Sequence, residues 1–281
     1  MANRQIARDL GVTPSTVDRQ ISRLGRHCLL YHRRMLEGVP PPDEIAIDGF
    51  ETFELSQYYP THFHLAIEPE TSFLVHFTDS ELRRKGRMTV RQKKRRRQLE
   101  ARHGRPDPGA VLKDVTELLV TTLEGAERAT VRSDLHKAYP KALRRLDCTI
   151  RHLTVSSHDP RDRNNILWEI NRIDRMIRHS QAGHVRETLA WPKRRQRAAE
   201  RLAVFLVWWN YMRKRWEKGR WESPGMLKRV ASCMKTVPEI LKGRIFATRQ
   251  NLTGRWKAYY ESSIETRALA INRRHDLRYA Q

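Results

Sequence analysis

The sequence predicts an α/β protein: a mixed sheet flanked by helices, preceded by a helix-turn-helix and followed by a helical tail. Three short apolar runs with strand character, at 44–50, 61–68 and 72–78, lie close enough together for an antiparallel meander. From residue 110 to residue 179, helix and strand patterns alternate. That alternation calls for parallel strands joined by helices across a sheet face.

Residues 3–24, NRQIARDLGVTPSTVDRQISRL, set Ile6, Ala7 and Leu10 on one helical face, Gly11 at a turn, and Val17, Ile21 and Leu24 on a second helix. Thr13 or Ser15 can cap that second helix, and Pro14 sits in its first turn, where a missing amide costs little. In a helix-turn-helix frame, Ser15, Thr16, Asp18, Arg19 and Arg23 project toward a major groove. This segment is expected to span 1–36, with 37–43, containing Gly38-Val39-Pro40-Pro41-Pro42, as a stiff linker.

A main domain is expected over 44–218, interrupted at 79–109 by a basic insertion that contains Arg83-Arg84-Lys85 and Lys93-Lys94-Arg95-Arg96-Arg97. Pro108 then opens a helix with Val111, Val115, Leu118, Leu119 and Thr122 on one face. Strand 129–134, a short helix with Tyr139, Leu143 and Leu146, strand 149–156 and a helical stretch from Asn165 to His179 follow. Between Lys193 and Trp216 the residues Leu202, Phe205, Leu206, Trp209, Met212 and Trp216 recur at three- and four-residue steps, which predicts one long helix packed on the sheet or a partner. The remainder, 219–281, reads as a basic, helical, accessory region.

A chain of 281 residues can bury one substantial core. With 55 Lys and Arg against 32 Asp and Glu, a net charge of +23 and a pI near 10.7, its expected partner is a polyanion, first of all double-stranded DNA. No run approaches the roughly 18 apolar residues of a membrane-spanning helix, so a cytoplasmic, nucleoid-associated location is expected. Cys28, Cys148 and Cys233 are far apart and lack any CxxC pairing, which argues against a disulfide framework and a thiolate zinc site. His62 and His64 face the same side of a strand, but further ligands for a metal there are not evident.

The chemistry-bearing residues are acids. Asp48 interrupts the apolar run Ile45-Ala46-Ile47, Asp134 ends the strand Ala129-Thr130-Val131-Arg132-Ser133, and Asp174 lies on the 165–179 helix. Magnesium prefers hard oxygen donors, so three carboxylates with substrate oxygens complete its shell without histidine or cysteine. Two such ions about 4 Å apart suit in-line displacement at a DNA phosphate. Manganese can substitute.

Four stretches, IAIDGFETFELSQYYP around Asp48, FTDSELRRKGRMT at 77–89, VRSDLHKAYPKAL around Asp134 and NRIDRMIRHSQAGHVRETLAWPKRRQRAAERLAVFLVWWNY at 171–211, resemble the DDE transposases of bacterial insertion sequences. The resemblance spans most of the chain. It implies a ribonuclease-H-like catalytic domain, magnesium, recognition of terminal inverted repeats, and DNA cleavage and joining by an oligomer. Asp48 and Asp134 would be the first two catalytic metal ligands. Asp174 would be the third, with Glu187 the main rival and Glu169 another; Asn171 shares its face. Arg178, His179 and Arg186 would contact phosphate, as would Arg95 and Arg96 of the basic insertion. Relatives of this kind look as though they carry a cysteine-rich zinc-binding segment before the helix-turn-helix, which leads to the expectation that Met1 lies inside a longer ancestral frame or that the gene is a decayed copy. A DNA-binding derivative without turnover, or a nuclease that cuts without joining, would use the same features.

Overall fold

Five strands, β1 (Glu44–Phe53), β2 (Pro60–Glu68), β3 (Phe73–Glu81), β4 (Arg128–Asp134) and β5 (Thr149–Val155), form one mixed sheet in the order β3-β2-β1-β4-β5. The chain is described by a computed structural model over residues 2–272, apart from 186, 187 and 189. β1, β2 and β3 are the expected antiparallel meander, while β1–β4 and β4–β5 are parallel. Parallel neighbours need crossovers, and α4 (Ala110–Thr122) and α5 (Ala138–Leu143) supply them.

The period-two alternation of β1 divides the core. Ile45 and Ile47 point to the face covered by α4 and α5, where they meet Val115, Leu118, Leu119 and Tyr139. Ala46 and Phe50 point to the opposite face, covered by α2 (Pro14–Met35), α6 (Trp168–Ser180) and α7 (Arg195–Val207). α6 buries Ile170, Ile173 and Ile177, a stripe worth about 2 kcal/mol per side chain, and that stripe fixes which of its flanks faces the sheet.

At the N-terminus, α1 (Asn3–Asp9) and α2 flank a turn in which Gly11 has φ +63°, a conformation open to glycine at no steric cost. Thr13 caps α2, its hydroxyl accepting from the Thr16 N–H at 3.2 Å. The expected pair of helices is present, but of the face that carries Ile6, Ala7 and Leu10, Ala7 is buried while Leu10 is 67% exposed. The second helix also runs for 22 residues and is built into the main core through Cys28, Leu29, Leu30 and His32. Gly25 permits this: a Cβ there would stand 2.6 Å from the Glu200 carbonyl oxygen on α7, so any other residue would push the two helices apart.

The basic insertion contains α3 (Val90–His103), which has no buried residue. Thr89 and Gln92 close a capping box at its start. The helix predicted over 193–216 ends early. α7 gives way at Trp208–Met212 to a π-helical turn, and Trp216 lies beyond it, 39% exposed. The tail is short helices α8 (Pro224–Leu227), α9 (Val237–Leu241) and α10 (Gly254–Tyr260). The region expected to be accessory sends Trp256, Tyr259 and Tyr260 into the main core.

The outer edge of β3 shows why the π turn is there. An unpaired strand edge is a liability, and here side chains cover it. Trp209 Nε1 donates to the Ser72 carbonyl at 2.9 Å and Trp256 Nε1 to that of Phe77 at 2.8 Å. The Asn210 amide imitates a neighbouring strand, accepting from the Leu74 N–H at 3.0 Å and donating to the Leu74 carbonyl at 2.8 Å. His32 Nε2 donates to the Val75 carbonyl at 3.0 Å, which leaves Nδ1 to accept from the Tyr211 hydroxyl at 2.9 Å. Burial pushes His32 down to about 4, so the ring is neutral at physiological pH.

Among the described residues no helix is long and apolar enough to cross a membrane. Cys28, Cys148 and Cys233 are all free thiols. We expect Asn210→Leu to cost about 2–4 kcal/mol, because it strands one buried N–H and one buried carbonyl at about 1–3 kcal/mol each. The measurement is the urea midpoint; a midpoint equal to the parent's would contradict the edge-capping role.

Candidate active site

The three aspartates predicted as ligands come from three different elements. β1 and β4 are paired with Ala46 opposite Arg132. Carried two residues further, the same register sets Asp134 beside Asp48, on the face covered by α6. β4 ends there while β1 continues beside β2, so the strands part and leave a crevice at their carboxyl ends, where open α/β sheets place ligands. α6 crosses above it. With Ile170, Ile173 and Ile177 turned inward, Asn171, Asp174 and Arg178 fall on its adjoining flank. Asp48, Asp134, Asn171, Asp174 and Arg178 line one cleft of about 520 Å³.

The position after Asp48 has to be glycine. A Cβ on Gly49 would stand 2.0 Å from the Phe63 carbonyl oxygen and 2.4 Å from His62 Nε2, closer than any atom can approach. His62 also lines the cleft, and burial, helped by His136 and Arg178, pushes it down to about 4. It therefore presents a neutral ring at physiological pH.

Each carboxylate already has a partner. Asp48 Oδ1 accepts from the Gly49 N–H at 2.7 Å, Asp134 Oδ1 from the His136 N–H at 2.8 Å, and Asp174 Oδ1 from Arg178 Nε at 3.1 Å. The aspartates nevertheless sense one another. Asp48 is pushed up to about 6, by burial first and then by the charges of Asp134 and Asp174, against the opposing pull of the Gly49 N–H. Tyr139, beneath the cleft, is raised well above its usual value by burial and by Asp48 and Asp134. Among the described residues no three His, Cys, Asp or Glu side chains are gathered tightly enough to form a ready ion cage. Three like charges repel, and a cation is what would draw them together. The donor set, all hard oxygen, fits magnesium or manganese.

Of the rivals for the third acid, Glu169 turns elsewhere: its Oε2 accepts from Ser72 Oγ at 2.6 Å and from Arg172 Nη2 at 2.8 Å. Glu187 and Arg186 lie outside the described residues. The His62–His64 pair forms no metal cluster among the described residues. His64 Nε2 instead joins Ser80 Oγ at 2.8 Å, which donates to Asp114 Oδ2 at 2.7 Å.

Among the predicted phosphate contacts, Arg178 lines the cleft and its guanidinium sits 5.8 Å from the centre of the Phe50 ring. Arg95 is exposed on α3. Arg96 is half-buried, donating to the Arg84 carbonyl at 2.9 Å and pairing with Glu100 at 3.4 Å, so it holds the insertion together. On α2, Ser15, Arg19 and Arg23 are exposed and Thr16 is half-buried. Asp18 pairs with Arg197 at 3.1 Å.

Sequence reasoning missed Arg161 and Arg175, which also line the cleft. Arg175 follows Asp174 and lies over the Trp168 ring at 4.7 Å, a pairing seven residues apart that helical spacing could have revealed. Arg161 is on the β5–α6 connection, which no periodicity locates.

No family model matches the chain, and no curated protein matches its sequence. Among solved structures, a chain of the simian T-cell lymphotropic virus intasome in complex with PP2A regulatory subunit B56 gamma is similar over 68% of this chain, at 14% identity and a TM-score of 0.32. This chain spans 55% of that one's length, and the likeness is too distant to carry an argument about function.

Because Asp48 titrates near 6 in the fold against an ordinary 3.8, the folded protein binds the extra proton between those values, and stability falls as pH rises through that window. We expect Asp48→Asn to stabilise the protein by about 1–3 kcal/mol at pH 8, an advantage that fades as pH falls from about 6 to about 4. Thermal or urea unfolding across that range measures it. A pH-independent difference, or destabilisation throughout, would contradict the raised pKa of Asp48.

Proposed function

We propose that the chain is a DDE-type transposase with a ribonuclease-H-like catalytic domain, using Mg²⁺ (or Mn²⁺) to cleave the ends of an insertion sequence and join them to target DNA. The observation that carries this reading is the single cleft lined by Asp48, Asp134 and Asp174 and rimmed by Arg161, Arg175 and Arg178. The order β3-β2-β1-β4-β5, with an acid on β1 and another on its parallel neighbour β4, supports the ribonuclease-H-like assignment.

In this reading Asp48 and Asp134 would hold metal from the sheet side and Asp174 from α6. When bound, the ions supply Lewis acidity for the attacking and leaving oxygens of an in-line displacement. Arg161, Arg175 and Arg178 grip the scissile phosphodiester, since guanidinium forks match phosphate oxygens. Arg178 can exchange its bond to Asp174 for one to phosphate as the substrate arrives. His62, being neutral, adds no competing charge. α1 and α2 read the terminal repeats through Ser15, Thr16, Arg19 and Arg23. Exposed cations of α3, Arg95 among them, hold the backbone without reading bases. Synapsis of two ends would require a homo-oligomer on DNA, in the prokaryotic nucleoid.

A second reading, a DNA-binding derivative without turnover, is favoured by two observations: Asp174 is engaged by Arg178, and no ready three-ligand cage exists among the described residues.

Labelled DNA bearing the element's flanking repeat, incubated with Mg²⁺ or Mn²⁺, separates the readings. We expect joined products from the parent, a loss of at least about 100-fold in Asp48→Asn, Asp134→Asn and Asp174→Asn with DNA binding kept, and near-parental activity in Glu169→Gln. Cut but unjoined DNA would indicate a nuclease. Binding without chemistry in the parent would favour the inactive derivative.

A further inference from the structure

A second cleft, of about 730 Å³, lies away from the carboxylates, between α2, α7 and the segment that links α9 to α10. Its walls carry five guanidinium groups: Arg19, Arg23 and Arg26 from α2, Arg197 from α7, and Arg244 from the linking segment. The acids close by are already committed. Glu200, fully buried, accepts from Ser22 Oγ at 2.8 Å and Gln196 Nε2 at 3.0 Å and pairs with Arg197, and Asp18 pairs with the same arginine.

Arg26 is half-buried in the wall of the groove. It donates to Ser22 Oγ at 3.0 Å, and burial lowers its pKa, with Glu200 opposing and Arg197 and Arg23 adding to the effect. Among the described residues, five arginines and no carboxylate line the groove, which makes it attractive to an anion. Beside the cations stands Phe246, also lining the groove and 45% exposed, with the Arg249 guanidinium 5.2 Å from the centre of its ring.

We propose that this groove binds a single strand of nucleic acid, with its phosphates on Arg26 and Arg244 and an unpaired base stacked on Phe246. Guanidinium groups beside an aromatic platform are the combination that holds single strands without reading sequence. A duplex keeps its bases stacked on one another and offers no face to Phe246. The groove also gives the C-terminal segment a task that the cleft chemistry leaves unfilled. α2 then presents its N-terminal residues to duplex and the side bearing Arg26 to a strand displaced from it. This site is independent of the carboxylate cleft, and its test does not require catalysis.

Fluorescence anisotropy of the full chain with a short labelled oligothymidine, and with a duplex of matched length, decides the matter. Arg244→Ala and Phe246→Ala lie off α2, so they leave the duplex-reading residues intact. We expect each to weaken single-strand binding by about tenfold and duplex binding by less than about twofold, with Phe246→Trp restoring single-strand affinity. Far-ultraviolet circular dichroism melting confirms that the variants are folded. Unchanged single-strand affinity in both variants, or an equal loss on single strand and duplex, would overturn the proposal.

Discussion

Asp79 has no contact with solvent, and a carboxylate in that position stays charged only if cations are held against it. Burial alone would raise its pKa, but Arg195 and Arg255 outweigh that and hold it below the usual carboxylate value. Arg195 also pairs with Glu81 at 2.9 Å, and Tyr259 donates its hydroxyl to Asp79. One charge on β3 thereby ties the start of α7 and the body of α10 to the sheet edge. Everything else on that face depends on it: α7 positions α2 through Gly25 and Glu200, and the π turn that follows α7 presents Asn210 to β3.

The same arrangement explains how a chain with a net charge of +23 remains folded. Its acids are spent where arginines must be held inside or close to the core, as at Asp79, Asp114, Glu169 and Glu200. The cleft differs, for there Asp48 and Asp134 take hydrogen bonds from backbone N–H groups, while Arg178 pairs with Asp174.

Much of this was legible in the residues. The meander, the crossover helices and the two strand-borne acids follow from period-two runs broken by polar residues, and Asp134 sits beside Asp48 because β4 pairs in parallel with β1. Periodicity could not show that Trp256 and Tyr259 belong to the core, since their partners are more than a hundred residues away. Nor could it foresee the end of α7, because a π turn keeps Trp209 on the buried stripe while it releases Trp216. Arg96 and Arg95 look alike in a basic run, and only the position of Glu100 separates a structural cation from an exposed one. Sequence spacing left Glu169 as a lesser rival to Asp174, and it could not show that Ser72, Arg172 and Arg215 surround Glu169.

The central claim is that the cleft carboxylates form a divalent-metal site. Manganese binding followed by electron paramagnetic resonance, with magnesium competition, tests it on the parent, on Asp48→Asn and on Asp134→Asn. The account predicts saturable Mn²⁺ binding that magnesium displaces and that either substitution weakens strongly. Binding of equal strength in all three proteins, or none in the parent, would contradict it.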